Sequence, residues 1–453
     1  MAAAPADDRR TRRFERHDPG YEAARAGACW NARLPERYPD IIVQAADVEG
    51  VIEAIALARA EGWKIGVRSG GHSWAANHLR DGGMLLDVSR LASVTVDAEA
   101  MCARAGPGCT GDALDRLLAK RRLFFPKGHC RGIGLGGYVL QGGFGWNSRA
   151  VGLACENVTG VDYVGADGVL RHAGASGNEE MFWAARGAGP GFFGVVTNFH
   201  LKVHPRPAVI GLKLACYPLD RLEALFRWAD RVAAEVPRSV ELMLAVSRKL
   251  PFMNGPGIAV AAPVFADSLG AARRDLAFMR SRPGGARLVT PFVPMRLSWL
   301  TRAVMGHYPD RHRYAVDNMW TGAPIDDLLP GLGRIAGTLP TPLSHMLWLN
   351  WSPQPSRPDM AYSLDDRFYL ALYGVWKEAK DDVAVSAWVA DGLRLMEGFA
   401  TGLQLADENL GLRPGKFLAD ANMVRLEALR ARHDPDGRFH SYMGCAQAGV
   451  TPP

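Results

Sequence analysis

Val67-Arg68-Ser69-Gly70-Gly71-His72-Ser73 closes a short strand-like run at 63–67. Two adjacent glycines let consecutive backbone N–H groups converge on an anion, and Arg68, Ser69 and Ser73 can add donors, so the loop has the chemistry of a pyrophosphate cradle. Taken alone, it reads equally well as a glycine turn carrying a surface histidine. Upstream, Val48, Val51, Ile52 and Ile55 mark an amphipathic helix capped by Asp47 and stopped by Gly62. Downstream, strands are expected at 84–88, 93–96 and 101–105, then a helix over 110–120 with Leu114, Leu117 and Leu118 on one face. Strands and helices mix without steady βαβ alternation, which predicts an α+β fold.

The second informative stretch is Pro126-Lys127-Gly128-His129-Cys130-Arg131-Gly132-Ile133-Gly134-Leu135-Gly136-Gly137-Tyr138, followed by Gly142, Gly143 and Gly145. Such glycine density means that backbone turns sharply or approaches something closely. Gly132, Gly134 and Gly137 formally satisfy GxGxxG, but a dinucleotide fingerprint needs an apolar strand before it and an unbroken helix after it. Here the preceding residues are polar and three glycines follow. No GxxxxGK[ST], HExxH or GxSxG is present, so nucleotide hydrolysis, zinc proteolysis and α/β-hydrolase chemistry have no motif. Lys127, His129 and Arg131 surround Cys130 with potential positive charge, an arrangement expected to lower its thiol pKa.

The 453 residues are 48% hydrophobic and 22% charged, a globular composition long enough for two or three domains. The net charge of +6 is small for this length and spread along the chain, which disfavours nucleic acid as a partner. No apolar run of about 18 residues suggests a membrane span. Arg9, Arg10, Arg12, Arg13 and Arg16 lack the apolar segment a signal needs, so residues 1–32 read as a solvated arm. Seven cysteines without a CxxC pair suggest a reducing, cytoplasmic setting, and no metal site is expected. His204-Pro205-Arg206-Pro207 makes a rigid exit. Beyond it, amphipathic helices (219–234, 270–280, 383–399) alternate with strand-like stretches (241–247, 258–265, 345–351, 367–376), predicting helices over a largely antiparallel sheet. A last helix is expected at 421–431.

The two glycine stretches, together with Gly142-Gly143-Phe144-Gly145-Trp146-Asn147-Ser148-Arg149, Phe182-Trp183-Ala184-Ala185-Arg186-Gly187-Ala188-Gly189, Phe193-Gly194-Val195-Val196-Thr197 and Asp434-Pro435-Asp436-Gly437-Arg438-Phe439, resemble the berberine bridge enzyme-like branch of the vanillyl-alcohol oxidase flavoproteins. The resemblance implies a two-lobed FAD-binding domain (33–206), an inserted α+β substrate domain (207–410) and a C-terminal return (411–453). It implies FAD held bicovalently by His72 and Cys130, with Arg68, Ser69, Gly70, Gly71 and Ser73 around the pyrophosphate. Gly136, Gly137, Tyr138, Gly142 and Gly145 would line the flavin, Gly194 and Val196 the adenine, and Asn422 would belong to the closing motif.

The implied activity is hydride removal from an alcohol, sugar or secondary metabolite, with dioxygen as acceptor and hydrogen peroxide as product. A dehydrogenase, an oxidative cyclase and a non-catalytic flavin-binding protein are the alternatives. Phe144 and Tyr138 depart from the family pattern, as does the stretch Leu418-Ala419-Asp420-Ala421-Asn422, where the usual tyrosine is missing. The inserted sheet is therefore expected to supply the catalytic base, with Asp317 and Tyr373 as candidates and Asn350 orienting substrate.

Overall fold

The computed structural model describes residues 10–250, 253 and 255–444; Arg9 and Cys445 lie outside the described residues. In the first sheet, β1 (Arg12–Glu15), β2 (Ile41–Gln44), β3 (Ile65–Arg68) and β4 (Met84–Asp87) run in the order β1-β2-β4-β3. The last three are mutually parallel and β1 is antiparallel. The helix Val48–Ala60 begins where expected, the Asp47 carboxylate accepting from Gly50 N at 2.9 Å, and buries Val51, Ile55 and Ala58. The expected solvated arm is corrected here. Residues 12–15 form an edge strand on β2, and Trp30 stacks on His72 with ring centroids 5.2 Å apart.

Next come β5 (Val94–Asp97), β6 (Cys102–Ala105), β7 (Leu123–Phe124), β8 (Val158–Gly165), β9 (Leu170–Gly174), β10 (Gly194–Lys202) and β11 (His204–Pro205). The second sheet has the order β5-β6-β10-β8-β9, while β11 pairs with β7 at the exit from this lobe. Both sheets share one core, which includes Val43, Leu86, Val161 and Phe199.

The inserted region is built on β12 (Val209–Pro218), β13 (Met243–Ser247), β14 (Gly257–Ala266), β15 (Leu288–Val289), β16 (Val293–Pro294), β17 (Arg313–Thr321), β18 (His345–Asn350) and β19 (Phe368–Trp376). The order is β15-β12-β14-β13-β18-β19-β17, with β16 also on β12, and every pairing is antiparallel. Side chains alternate cleanly across it. Leu244, Val246, Met346, Trp348, Leu370 and Leu372 pack beneath the covering helices Leu222–Arg231, Ile325–Gly337 and Asp382–Arg394. Their strand neighbours point the other way, toward the first two sheets. The chain then returns. Leu403, Leu405 and Phe417 re-enter the first core with Leu426 and Leu429 of the helix Asp420–His433, and Ile65 N donates to Arg438 O at 2.7 Å. Among the described residues no helix is long and apolar enough to cross a membrane.

Candidate active site

A cavity of about 490 Å³ lies between the two-sheet lobe and the inserted sheet. One wall is the loop after β3. Gly71 has φ +69°, and a Cβ there would lie 2.2 Å from Ala28 O; a Cβ on Gly70 would lie 2.5 Å from Gly134 N. Only glycine lets these backbone segments meet. Among the described residues the N–H groups of Gly70, Gly71 and His72 have no hydrogen-bond partner, and all three residues line the cavity, so their donors are free for an anion. Ser69 Oγ accepts from Gly137 N at 3.3 Å and Ser73 Oγ from Asn77 N at 3.0 Å. Gly136 and Gly137 open the helix Leu135–Leu140, and a Cβ on Gly137 would meet nothing within 4 Å. Gly194 and Val196 line the same cavity beside Phe192.

Of five further residues expected at the cofactor, Arg68 and Tyr138 border the cavity with their polar groups committed to the protein, and Gly142, Gly145 and Asn422 do not reach it. Arg68 Nη1 donates to both Asp87 oxygens at 2.9 and 3.1 Å, and its Nε and Nη2 reach Ala28 O and Gly27 O at 3.3 Å, so the side chain anchors the loop. Gly142 (φ +107°) and Gly145 do not line the cavity. A Cβ on the first would strike the Tyr362 ring at 2.7 Å, and one on the second Lys127 O at 2.3 Å, so both glycines serve protein packing. The ring of Tyr138 borders the cavity, but its hydroxyl donates to Pro126 O at 2.7 Å and bonds Gly143 O at 3.0 Å. Asn422 Nδ2 donates to Met360 O and Ala361 O, tying the return helix to that segment outside the cavity.

His72 and Cys130 both border the cavity. Burial and the nearby Arg68 charge lower the His72 pKa to about 4, so the imidazole is neutral at ordinary pH. Cys130 is corrected. Lys127 is bound by Asp112 at 2.6 Å and His129 meets Glu241 at 3.3 Å; the Lys127 charge still lowers the thiol pKa but is outweighed. Burial, followed by the Asp407 carboxylate, pushes the thiol up to about 12.

The inserted sheet supplies the opposite wall, where strand parity decides which residues reach the cavity. His345, Leu347, Leu349, Tyr369 and Tyr373 face it. Asn350 falls on the helix side. Its Oδ1 accepts from Trp348 Nε1 at 2.9 Å and its Nδ2 donates to Ala229 O at 2.8 Å, so it cannot orient substrate. Asp317 shares the parity of Ala315 and Met319, which pack under the helices. It is held bidentate by Arg413 at 2.8 and 2.6 Å. A fully buried carboxylate so paired is structural, and it is withdrawn as the base. Tyr373 does face the cavity, but its environment is the reverse of the one a tyrosinate needs. Burial and then Asp407 raise its pKa well above the ordinary value, with no cation to lower it.

Asp407, in the short turn Leu405–Asp407, is the group that sequence reasoning missed. Its Oδ2 accepts from Tyr369 OH at 2.5 Å and Tyr373 OH at 2.8 Å, and its Oδ1 from Trp74 Nε1 at 2.6 Å. It lines the cavity. The arrangement can receive a proton through either phenol. The available signal was weak: acidic Asp407-Glu408 among buried leucines. Elsewhere Asp162 meets His172 and His200 on the second sheet, but Arg104 already neutralises that carboxylate and none of these residues lines the cavity.

Residues 39–174 match the model of an FAD binding domain. The chain is 32% identical over 426 residues to FAD-linked oxidoreductase nodO of Hypoxylon pulicicidum, covering 92% of this chain and 94% of that one. The chain belongs to the FAD-linked oxidoreductases. Its fold is shared with 6-hydroxy-D-nicotine oxidase from Arthrobacter nicotinovorans (TM-score 0.81, 22% identity, 95% and 96% coverage). The BBE-like 1 protein of Physcomitrella patens is also similar in fold (TM-score 0.83, 18% identity, 96% of each chain). The enzyme's cavity fits FAD on its own chemistry. The unpartnered N–H groups at 70–72 suit a diphosphate, the side-chain-free face at Gly137 leaves room beside them, and a neutral imidazole borders the same space.

Proposed function

We propose that the enzyme is an FAD-dependent oxidase acting on an alcohol-type C–H bond, with His72 and Cys130 as the two points of cofactor attachment. When bound, FAD supplies the hydride acceptor and passes the electrons to dioxygen, giving hydrogen peroxide. The carrying observation is the Asp407-Tyr369-Tyr373 cluster, a carboxylate holding two phenols on the cavity wall. Tyr373 accepts the substrate hydroxyl proton while passing its own to Asp407 Oδ2. The phenol thus never stands as an isolated anion, which its raised pKa would oppose. Tyr308 OH, bonded to His345 at 3.0 Å, holds the far side of the cluster.

The test is anaerobic mixing of purified holoprotein with a panel of alcohols, sugars and aromatic metabolites, followed by admission of oxygen. Bleaching by some member, with about one peroxide per flavin on reoxidation, is the expected result. Bleaching reversed only by an artificial electron acceptor would make the enzyme a dehydrogenase. Denaturation should leave yellow peptides containing His72 and Cys130; quantitative release of free FAD would end the attachment proposal.

A further inference from the structure

The cavity extends beyond the phenol cluster along the inserted sheet, and its lining there changes character. Leu214, Ala261, Met243, Leu349 and Tyr369 lie opposite one another on five consecutive strands. This row runs from Asp407's partner Tyr369 to β12, four strand spacings or roughly 19 Å away. All five residues border the cavity. In the next row Ala259, Ala245 and Leu347 also face it. Between Tyr369 and Leu214 the row offers a ligand no hydrogen-bonding side chain. A carbohydrate enclosed there would leave several hydroxyls unpaired, at a cost in affinity for each.

One polar group stands at the edge of this region. His307 borders the cavity, its ring centroid 5.2 Å from that of His345, which in turn stacks on Tyr373. Its Nδ1 is shut off from the cavity and has no hydrogen-bond partner among the described residues, so Nε2 is the ring nitrogen left to meet a ligand. Burial and the Lys249 charge lower its pKa, so the ring is neutral. A neutral imidazole in an apolar recess can donate to or accept from one ligand oxygen.

Resting on the oxidase reading above, we infer that the substrate is an extended, largely apolar molecule rather than a carbohydrate, with its reacting hydroxyl at Tyr373 and a second oxygen bonded by His307. The probes are two steroids, dehydroepiandrosterone and its 17-deoxy analogue androst-5-en-3β-ol, with cellobiose as the carbohydrate control. Each is titrated into holoenzyme, and binding is read from the shift of the flavin absorbance bands, so turnover is not required.

Both steroids should give saturable shifts, with the ketosteroid binding about three- to tenfold tighter, the range expected of one added hydrogen bond. His307→Leu should close that gap and His307→Gln should preserve part of it. Ala261→Trp should abolish the shift with flavin content unchanged. Absence of any steroid shift, saturation by cellobiose, or a gap untouched in His307→Leu would each overturn the inference. The two readings fail separately. Bleaching by sugars alone refutes the substrate class but leaves the oxidase, whereas steroid binding with no bleaching by any compound of the panel refutes the oxidase alone.

Discussion

The two walls of the cavity are made of different material. The wall after β3 is backbone: a Cβ on Gly66 would lie 2.1 Å from His78 O, and Gly70 and Gly71 are as tightly placed. The wall from the inserted sheet is side chain, with Ala245, Ala261 and Leu347 beside the phenols Tyr369 and Tyr373. The first wall admits no added atom, yet no single side chain dominates it. The second tolerates changes of size but owes its chemistry to a few groups. Binding of the cofactor and selection of the substrate are thus separable by mutation.

The largest effect is expected where the sheet wall meets its proton acceptor. Asp407→Asn removes the acceptor and should slow anaerobic flavin reduction by about two to four orders of magnitude, with flavin still attached. Asp317→Asn, on the opposite face of the same sheet, should leave that rate constant within a factor of about two. It strands Arg413, whose side chain is only 5% exposed, and should cost about 3–5 kcal/mol in urea unfolding. A normal reduction rate in Asp407→Asn, or a slow one in stably folded Asp317→Asn, would reverse the assignment of the two faces.

A smaller effect separates the walls themselves. Gly71→Ala combines a left-handed φ with a methyl pressed on Ala28 O, so a loss of about 1–3 kcal/mol from overpacking is expected, and more if the strain is not relieved. Flavin content after purification should fall. Ala261→Leu on the sheet wall should keep its flavin and change only which ligands bind. Equal flavin loss in both variants would mean that the walls are not independent.

This difference in material also governs what could be read from the chain. Loops that need left-handed φ or close backbone approach leave glycine signatures, so the region around Gly70, Gly71, Gly136 and Gly137 was legible together with His72 and Cys130. Gly142 and Gly145 carry the same signature for a purely packing reason. In the sheet, composition gave antiparallel strands but not their facing. Asp317 and Asn350 sit in aromatic-rich runs like that of Tyr373, and one residue of parity turns each away from the cavity. The helix Ile325–Gly337 was hidden by Pro330 inside it. Asp407 was missed because its partners Trp74 and Tyr369 are 333 and 38 residues away in sequence. The Lys127 charge beside Cys130 was real, but burial and the Asp407 carboxylate, both products of folding, outweigh it.

The last effect is one of pH, and it tests whether the sheet wall is as dry as its lining implies. His345 is 3% exposed, its Nδ1 bonds Leu343 O at 2.9 Å, and burial holds its pKa at about 3. In the unfolded chain a histidine titrates near 6.5. Between these values the unfolded state carries a proton that the folded state refuses, so stability rises with pH across the window. The contribution is fully present above about pH 6.5 and is lost as the pH falls toward 3, at about 1.4 kcal/mol per unit. Urea unfolding of the wild type and His345→Gln at pH 7, 6, 5 and 4 isolates it, because all other titrating groups are common to both proteins. The variant should lose stability less steeply in acid by about one proton's worth of slope. Parallel curves would mean that His345 titrates alike in both states and that water reaches the sheet wall.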